Sequence, residues 1–212
     1  YEYILSGDYS QIELRLLAHL SQDPTMVDGF LKNQDIHRRT ASEVFGIPWE
    51  DVTPEQRSHA KAVNFGIIYG ISDFGLARNI SISRQQAKQY IDSYFARYST
   101  VHAYMDGLIA QAHQTGFAKT MFGRIRALPE INSKNFTRRS FAERTAMNTP
   151  IQGSAADIIK MAMNAVQQKL EERHLKSQLL VQVHDELVLE VPADEREEAA
   201  AMLKDTMEHI VT

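Results

Sequence analysis

The chain has 212 residues, 43% of them hydrophobic, and no cysteine; that is enough for the core of one large domain, or of a compact domain with a big insertion, and it leaves no disulfide or thiolate metal site. No stretch approaches the roughly eighteen apolar residues of a membrane helix, and the opening YEYILSGD has no basic region followed by a leader-like apolar run, so a cytoplasmic protein without a membrane partner is expected. The net charge of −4 argues against nucleic acid only as a single number: between Gly116 and Asn148, Lys119, Arg124, Arg126, Lys134, Arg138, Arg139 and Arg144 face only Glu130 and Glu143, whereas from Glu190 to Glu208 seven acids face two bases.

YEYILSGDY is a short β-prone run, and SQIELRLLAHLS follows it with Ile12, Leu14, Leu16, Leu17 and Leu20 spaced for a buried helix. Ser10 reads as its N-cap and Glu13 as the closing residue of a capping box, which leaves Asp8 at a strand-to-helix junction. After Asp35 comes IHRRTASEVFGI, an amphipathic helix starting near His37 and ended by Gly46. TPEQRSHAKAVNFGIIYG opens on Thr53 as N-cap, Pro54 at the first helical position and Gln56 at the capping-box position; SRQQAKQYIDSYFARY repeats the signal with Ser83 and Gln86. VHAYMDGLIAQAHQTG ends on Gly116, AKTMFGRIRAL reads as a short hairpin around Phe122 and Gly123, and a long helical region runs from about Phe136 to Glu172 with an interruption near Pro150 and Gly153. The last signal is LLVQVHDELVLEV, residues 179–191: two apolar, β-branched runs about His184, Asp185 and Glu186, stopped by Pro192. No repeat, low-complexity tract or linker interrupts the chain.

A strand first, helices in the middle and a hairpin last imply an α+β fold, in which the terminal strands pair as a small antiparallel sheet and residues near 30–130 form a mostly helical insertion. Asp8 and Asp185 then meet. In one reading His184, Asp185 and Glu186 are solvated turn residues; in the other, two carboxylates on adjacent strands hold a pair of divalent ions about 3.5 to 4 Å apart. Nucleases, phosphatases and polymerases all use that pair, so it specifies phosphate chemistry and not the reaction. Arg57, Lys61, Phe65 and Tyr69 narrow it: at successive i, i+4 steps they share one stripe of a helix, two cations followed by two rings, which suits a nucleoside triphosphate. Arg144, Asn148 and Gln152 step by four as well, either as ordinary exposed polar residues or as donors that test base-pair geometry from the minor groove.

DYSQIELR, RSHAKAVNFGIIYG and QVHDEL resemble, in order and spacing, the three polymerase signatures of family A DNA polymerases. DIHRRTA and TPIQGSAADIIK look like that family's stretches too, so the resemblance covers nearly the whole chain. It implies a small antiparallel palm sheet with a large helical fingers insertion: palm over 1–29, fingers over 30–130, palm again over 131–212. It further implies a template-directed DNA polymerase working on primer-template DNA and deoxynucleoside triphosphates with two Mg²⁺ ions, as a monomer. Asp8 and Asp185 match the metal-binding aspartates, with the backbone carbonyl of Tyr9 as a further ligand. Lys61 matches the lysine that binds the triphosphate and protonates the leaving pyrophosphate. Arg57 and His37 match triphosphate contacts, Phe65 the ring beside the incoming sugar, Tyr69 the residue at the template-base position, and Glu13 the steric gate against a ribose 2′-hydroxyl; Gln11, in the same signature, joins the nucleotide-binding set. Arg144, Asn148, Gln152 and His184 match residues near the primer terminus. The family's thumb and any exonuclease domains are expected before Tyr1 and a last palm strand after Thr212. Gly7 stands where Ala or Ser is more usual. Two rival classes stay open, a DNA- or nucleotide-binding module without catalysis and a two-metal phosphodiesterase.

Overall fold

The computed structural model describes residues 1–211. In chain order its elements are β1 (Tyr3–Asp8), α1 (Ile12–Ser21), α2 (Pro24–Leu31), α3 (Ile36–Phe45), α4 (Pro54–Ile68), α5 (Asp73–Asn79), α6 (Arg84–Arg97) and α7 (Ser99–Thr115). The chain continues with β2 (Phe117–Lys119), β3 (Ile125–Ala127), α8 (Phe136–Glu172), β4 (Gln178–Val183), β5 (Glu186–Val191) and α9 (Arg196–Glu208). The fold is α+β, and it divides into two compact units, residues 1–12 with 153–212, and residues 13–152. The second unit holds α1 from Glu13 onward, all of residues 30–130 and the first part of α8.

In the first unit β1, β5 and β4 form an antiparallel sheet with β5 in the centre. Alternation along β5 sends Leu187, Leu189 and Val191 into a core shared with Ile159, Ala162, Val166 and Leu170 of α8 and with Met202, Leu203 and Met207 of α9. The acidic run after Glu190 conceals α9, whose buried Ala199, Met202, Leu203 and Met207 recur at helical spacing beneath its charges. Gly7 is explained here: a Cβ at this position would lie 2.8 Å from Met207 Sδ and 3.0 Å from Leu203 Cδ2.

The helical unit begins its helices where local chemistry directs. Thr53 with Gln56 and Ser83 with Gln86 form capping boxes, Asp35 accepts from the amides of His37 and Arg38, and Gly46 and Gly116 stop their helices at φ 68° and 78°. The same signals, Asp23 before Pro24 and Ser72 before Asp73, open the short α2 and α5, which the periodicity had not separated from their loops. The hairpin at β2 and β3 forms as expected, with Gly123 at φ 87° in its turn.

Two expectations fail. Gln11 has φ 55°, so the first helical residue is Ile12, the register of a Ser10–Glu13 capping box is lost, and Glu13 stands at the second position of α1. The helix α8 also runs unbroken through Pro150 and Gly153. Proline there removes one backbone bond at a cost of about 3 kcal/mol, but buried Ala142, Ala146 and Ile151 on one side and Ile159, Ala162, Val166 and Leu170 on the other hold the helix to its cores. The Pro and Gly mark the limit between the compact units instead of a helix end. Among the described residues no helix is long and apolar enough to cross a membrane.

Candidate functional site

The first constellation lies in the sheet unit. β1 carries Asp8 at its C-terminal end, opposite Glu186, and the Tyr9 amide donates to the Asp185 carbonyl at 3.1 Å, which holds the hairpin turn beside it. The turn closes over His184 and Asp185 because His184 takes the left-handed φ of 53°, with Gln182 Nε2 donating to its carbonyl at 2.8 Å. Burial first, and then the carboxylates of Asp185 and Glu186 with a hydrogen bond to Asp185, push the Asp8 carboxyl above the ordinary aspartate value. Repulsion of this kind is what a bound cation relieves. The Ser6 hydroxyl donates to Glu186, tying that carboxylate down. Tyr9 spends its hydroxyl on the Met207 carbonyl at 2.7 Å and burial raises its pKa to about 12, so only its backbone is left for a ligand.

Among the described residues no group of three or more His, Cys, Asp or Glu side chains makes a ready metal shell. Two carboxylates and a carbonyl are nevertheless a hard-oxygen set that fits Mg²⁺, which takes one or two protein carboxylates and completes its octahedron with water and substrate phosphates. The residues present fit the ion. His184 is exposed at the turn.

The second constellation lies in the helical unit. Lys61, Phe65 and Tyr69 line one wall of a cleft of about 670 Å³ whose other walls include Gly70, Ile71 and Arg144. Lys61 is exposed, Phe65 half-buried, and Tyr69 41% exposed, so the stripe is neither core nor plain surface. Arg57, one turn earlier, pairs with Asp35 at 2.7 Å. Burial works against the Asp35 charge, but the bonds from Arg57 and from the Arg38 and His37 amides keep its carboxyl below the usual aspartate value. His37 is 2% exposed; burial, then the charge of Arg57, depresses its pKa to about 4, so it is a neutral imidazole and not a third cation.

Tyr69, Glu13 and Gln152, remote in sequence, come together. The Tyr69 hydroxyl donates to Glu13 Oε2 at 3.1 Å and Gln152 Nε2 to Glu13 Oε1 at a long 3.5 Å. Arg144 donates to Ser140 Oγ at 3.0 Å, and Asn148, half-buried, has its Oδ1 buried without a partner. The stripe on α8 is therefore not ordinary exposed surface. Part of the basic stretch is spent internally, Arg138 near Glu130 at 3.5 Å and Arg139 near Glu143 at 4.0 Å.

Asp8, Tyr9, His184 and Asp185 thus gather in the sheet unit, the chain segment that also carries the half-buried Gln11. Lys61, Phe65, Tyr69 and Arg144 gather at the cleft, which Arg57 and His37 do not line. Sequence reasoning missed two residues. Asp35 had a signal, as a cap, that hid its second task of holding Arg57. Asn64, one amide among apolar residues of α4, had none.

The model of DNA polymerase family A matches residues 1–212. The chain is 55% identical over 209 residues to DNA polymerase I of Lactococcus lactis subsp. cremoris and 52% identical over 209 residues to DNA polymerase I of Geobacillus stearothermophilus. These matches cover 98% and 99% of this chain but only 24% of each relative, so the chain spans about a quarter of their length. The solved structure of the POL domain of Pol1 from M. smegmatis, in complex with DNA primer-template and dNTP, superposes with a TM-score of 0.96 at 42% identity, covering 100% of this chain and 37% of that one.

Proposed function

The chain belongs to DNA polymerase family A, and on that premise we propose that it carries the nucleotide-adding centre of a template-directed DNA polymerase. The reaction joins a primer 3′-hydroxyl to the α-phosphate of a deoxynucleoside triphosphate and releases pyrophosphate. Residues 1–29 and 131–212 serve as palm and 30–130 as fingers, in a cytoplasmic, monomeric protein.

The observation that carries the reading is the cleft on α4, where an exposed ammonium, Lys61, stands in line with two rings, Phe65 and Tyr69, and shares the lining with Arg144. A phosphodiesterase has no use for a stacking wall beside a polyphosphate site. Lys61 holds the triphosphate and passes a proton to the departing pyrophosphate oxygen, which an ammonium can do and a guanidinium cannot. Arg57, held in place by Asp35, is a fixed positive clamp, and His37 adds a hydrogen bond without charge. Phe65 packs against the incoming sugar, and Tyr69 occupies the template-base position. Glu13 lies under the sugar as a gate, with Gln11 beside the nucleotide. Arg144, Asn148, Gln152 and His184 hold the primer terminus and its base pairs through donors that serve either orientation of a pair. Asp8, Asp185 and the Tyr9 carbonyl would hold two divalent cations, Mg²⁺ by hardness, whose chemistry there would be activation of the attacking hydroxyl and neutralisation of charge on the leaving group.

The test is a primer-extension assay on the intact protein with pyrophosphate measured in parallel. Templated lengthening with equimolar pyrophosphate is expected. DNA binding without incorporation would leave a binding module, and release of nucleotide monophosphates would make it a phosphodiesterase.

A further inference from the structure

The helical unit holds a chain of four buried side chains, three of which the reaction as described does not use. Tyr98, Thr40 and Asn64 are 0% exposed and His37 is 2% exposed. The Tyr98 hydroxyl lies 3.4 Å from Thr40 Oγ1, Thr40 Oγ1 donates to Asn64 Oδ1 at 3.1 Å, and Asn64 Nδ2 lies 3.0 Å from His37 Nδ1. The direction of the protons follows. A hydroxyl has one proton, and Thr40 gives its proton to Asn64, so the Tyr98 hydroxyl is the donor to Thr40. An amide nitrogen only donates, so His37 Nδ1 must present a lone pair, and the ring proton is on Nε2. Turning the Asn64 amide over would make Thr40 Oγ1 accept from Nδ2 and leave one hydroxyl proton, that of Thr40 or of Tyr98, without an acceptor among the hydrogen bonds of the described residues. In the arrangement seen, both hydroxyl protons have one.

The far nitrogen is open. Among the described residues the buried side-chain polar atoms without partners are Tyr94 Oη and Asn148 Oδ1; His37 Nε2 is not among them, although no side chain bonds it, so it keeps a path to solvent. The ring lies 5.9 Å, centroid to centroid, from Phe65, and feels the charges of Arg57, Asp35 and Lys61. An anionic oxygen beside Arg57 and Lys61 accepts a bond from Nε2–H and is repelled by an Nε2 lone pair. One tautomer therefore assists nucleotide binding and the other opposes it.

We propose that Asn64 is a positioning residue that fixes His37 as its Nε2–H tautomer, so that the imidazole meets the phosphates of an incoming nucleotide as a neutral donor. The proposal rests on the reading of the α4 cleft as a nucleotide site, and goes beyond it in assigning a task to the buried amide.

The first measurement is independent of catalysis: long-range ¹H–¹⁵N spectra of the intact protein with ¹⁵N-labelled histidine, taken with and without inorganic tripolyphosphate as the probe. His37 is expected to show a protonated Nε2 and an unprotonated Nδ1, with the Nε2 signal moving on addition of the probe. A protonated Nδ1, or an Nε2 signal indifferent to the probe, overturns the proposal. The second measurement uses Asn64→Asp, close in size and able only to accept, at a pH high enough to keep the imidazole neutral, where the ring donates from Nδ1 and presents a lone pair at Nε2. Nucleotide affinity should fall about tenfold, the scale of one lost hydrogen bond to a charged group. In a His37→Gln background, where the side-chain amide supplies a donor regardless of residue 64, Asn64→Asp should add little. Equal losses in both backgrounds would make Asn64 a structural residue and overturn the proposal. A wild-type protein that adds no nucleotide would refute the polymerase reading alone, since the tautomer and tripolyphosphate measurements decide this one separately.

Discussion

Asp8 illustrates how little at this site is decided by a residue alone. Its carboxyl is raised by desolvation and then by the Asp185 and Glu186 carboxylates that β1 and the hairpin turn bring beside it, a repulsion that a bound cation would relieve. Asp8→Ala and Asp185→Ala are each expected to abolish nucleotide addition, leaving circular dichroism and melting unchanged or slightly improved, since a repulsion between carboxylates is relieved. Near-normal extension by either variant at saturating Mg²⁺ would refute the metal assignment. For Lys61→Arg the charge survives and the transferable proton does not, so the single-turnover rate should fall by about 10² to 10⁴; an unchanged rate would reduce Lys61 to a charge. Glu13 was read two ways, as a helix cap and as a gate; the left-handed Gln11 takes it out of the capping-box register, and its carboxylate accepts from Tyr69 and Gln152. Glu13→Ala should raise the ratio of ribonucleotide to deoxyribonucleotide incorporation. A lowered melting temperature with an unmoved ratio would leave Glu13 as a strut between helices.

At the scale of elements, α4 was the most legible part of the chain, because Thr53, Pro54 and Gln56 set its start and a four-residue step set its stripe, all within local reach. Its end was not legible. Gly70 has φ 63°, and a Cβ there would lie 2.4 Å from Met147 Cε and 2.8 Å from Arg144 Cγ, so the turn closing the cleft requires glycine for two separate reasons. Gly46, at φ 68° with nothing within 4 Å, requires it for one. Gly46→Ala should therefore cost only the left-handed penalty of about 1 to 2 kcal/mol, and Gly70→Ala clearly more, with weakened nucleotide binding as Arg144 is displaced. Denaturant unfolding of both variants measures the difference, and equal costs would mean that Met147 and Arg144 yield freely. The unbroken α8 teaches the converse: Pro150 carries a penalty that the buried residues flanking it exceed.

At the scale of the molecule, buried His37 ties stability to pH. It is neutral in the fold down to about pH 4, whereas the unfolded imidazole takes a proton near 6.5; between those values the unfolded state binds the extra proton, so stability falls as pH drops through that window and no further below it. The loss should be about 2 kcal/mol between pH 7 and pH 5, and His37→Gln should flatten it in melting curves taken across the range; a slope unchanged by that substitution would show that His37 titrates normally. Asp35, with its carboxyl held low, contributes stability that is lost only below the ordinary aspartate value. The sequence by itself determined much that depends on neighbours a few positions away: the capped starts of α4 and α6, the stops at Gly46 and Gly116, the cation-and-ring stripe, the terminal strands, and the ordered motifs that resemble the family. Tertiary structure alone decided which polar group meets which. It gave Arg57 to Asp35, Glu13 to Tyr69, and Asn64 to His37, seated Gly7 against Met207, and carried α8 past Pro150. Each of these turns on burial and on partners distant in the chain, and the free energy of a buried bond or a filled contact has no counterpart in local spacing.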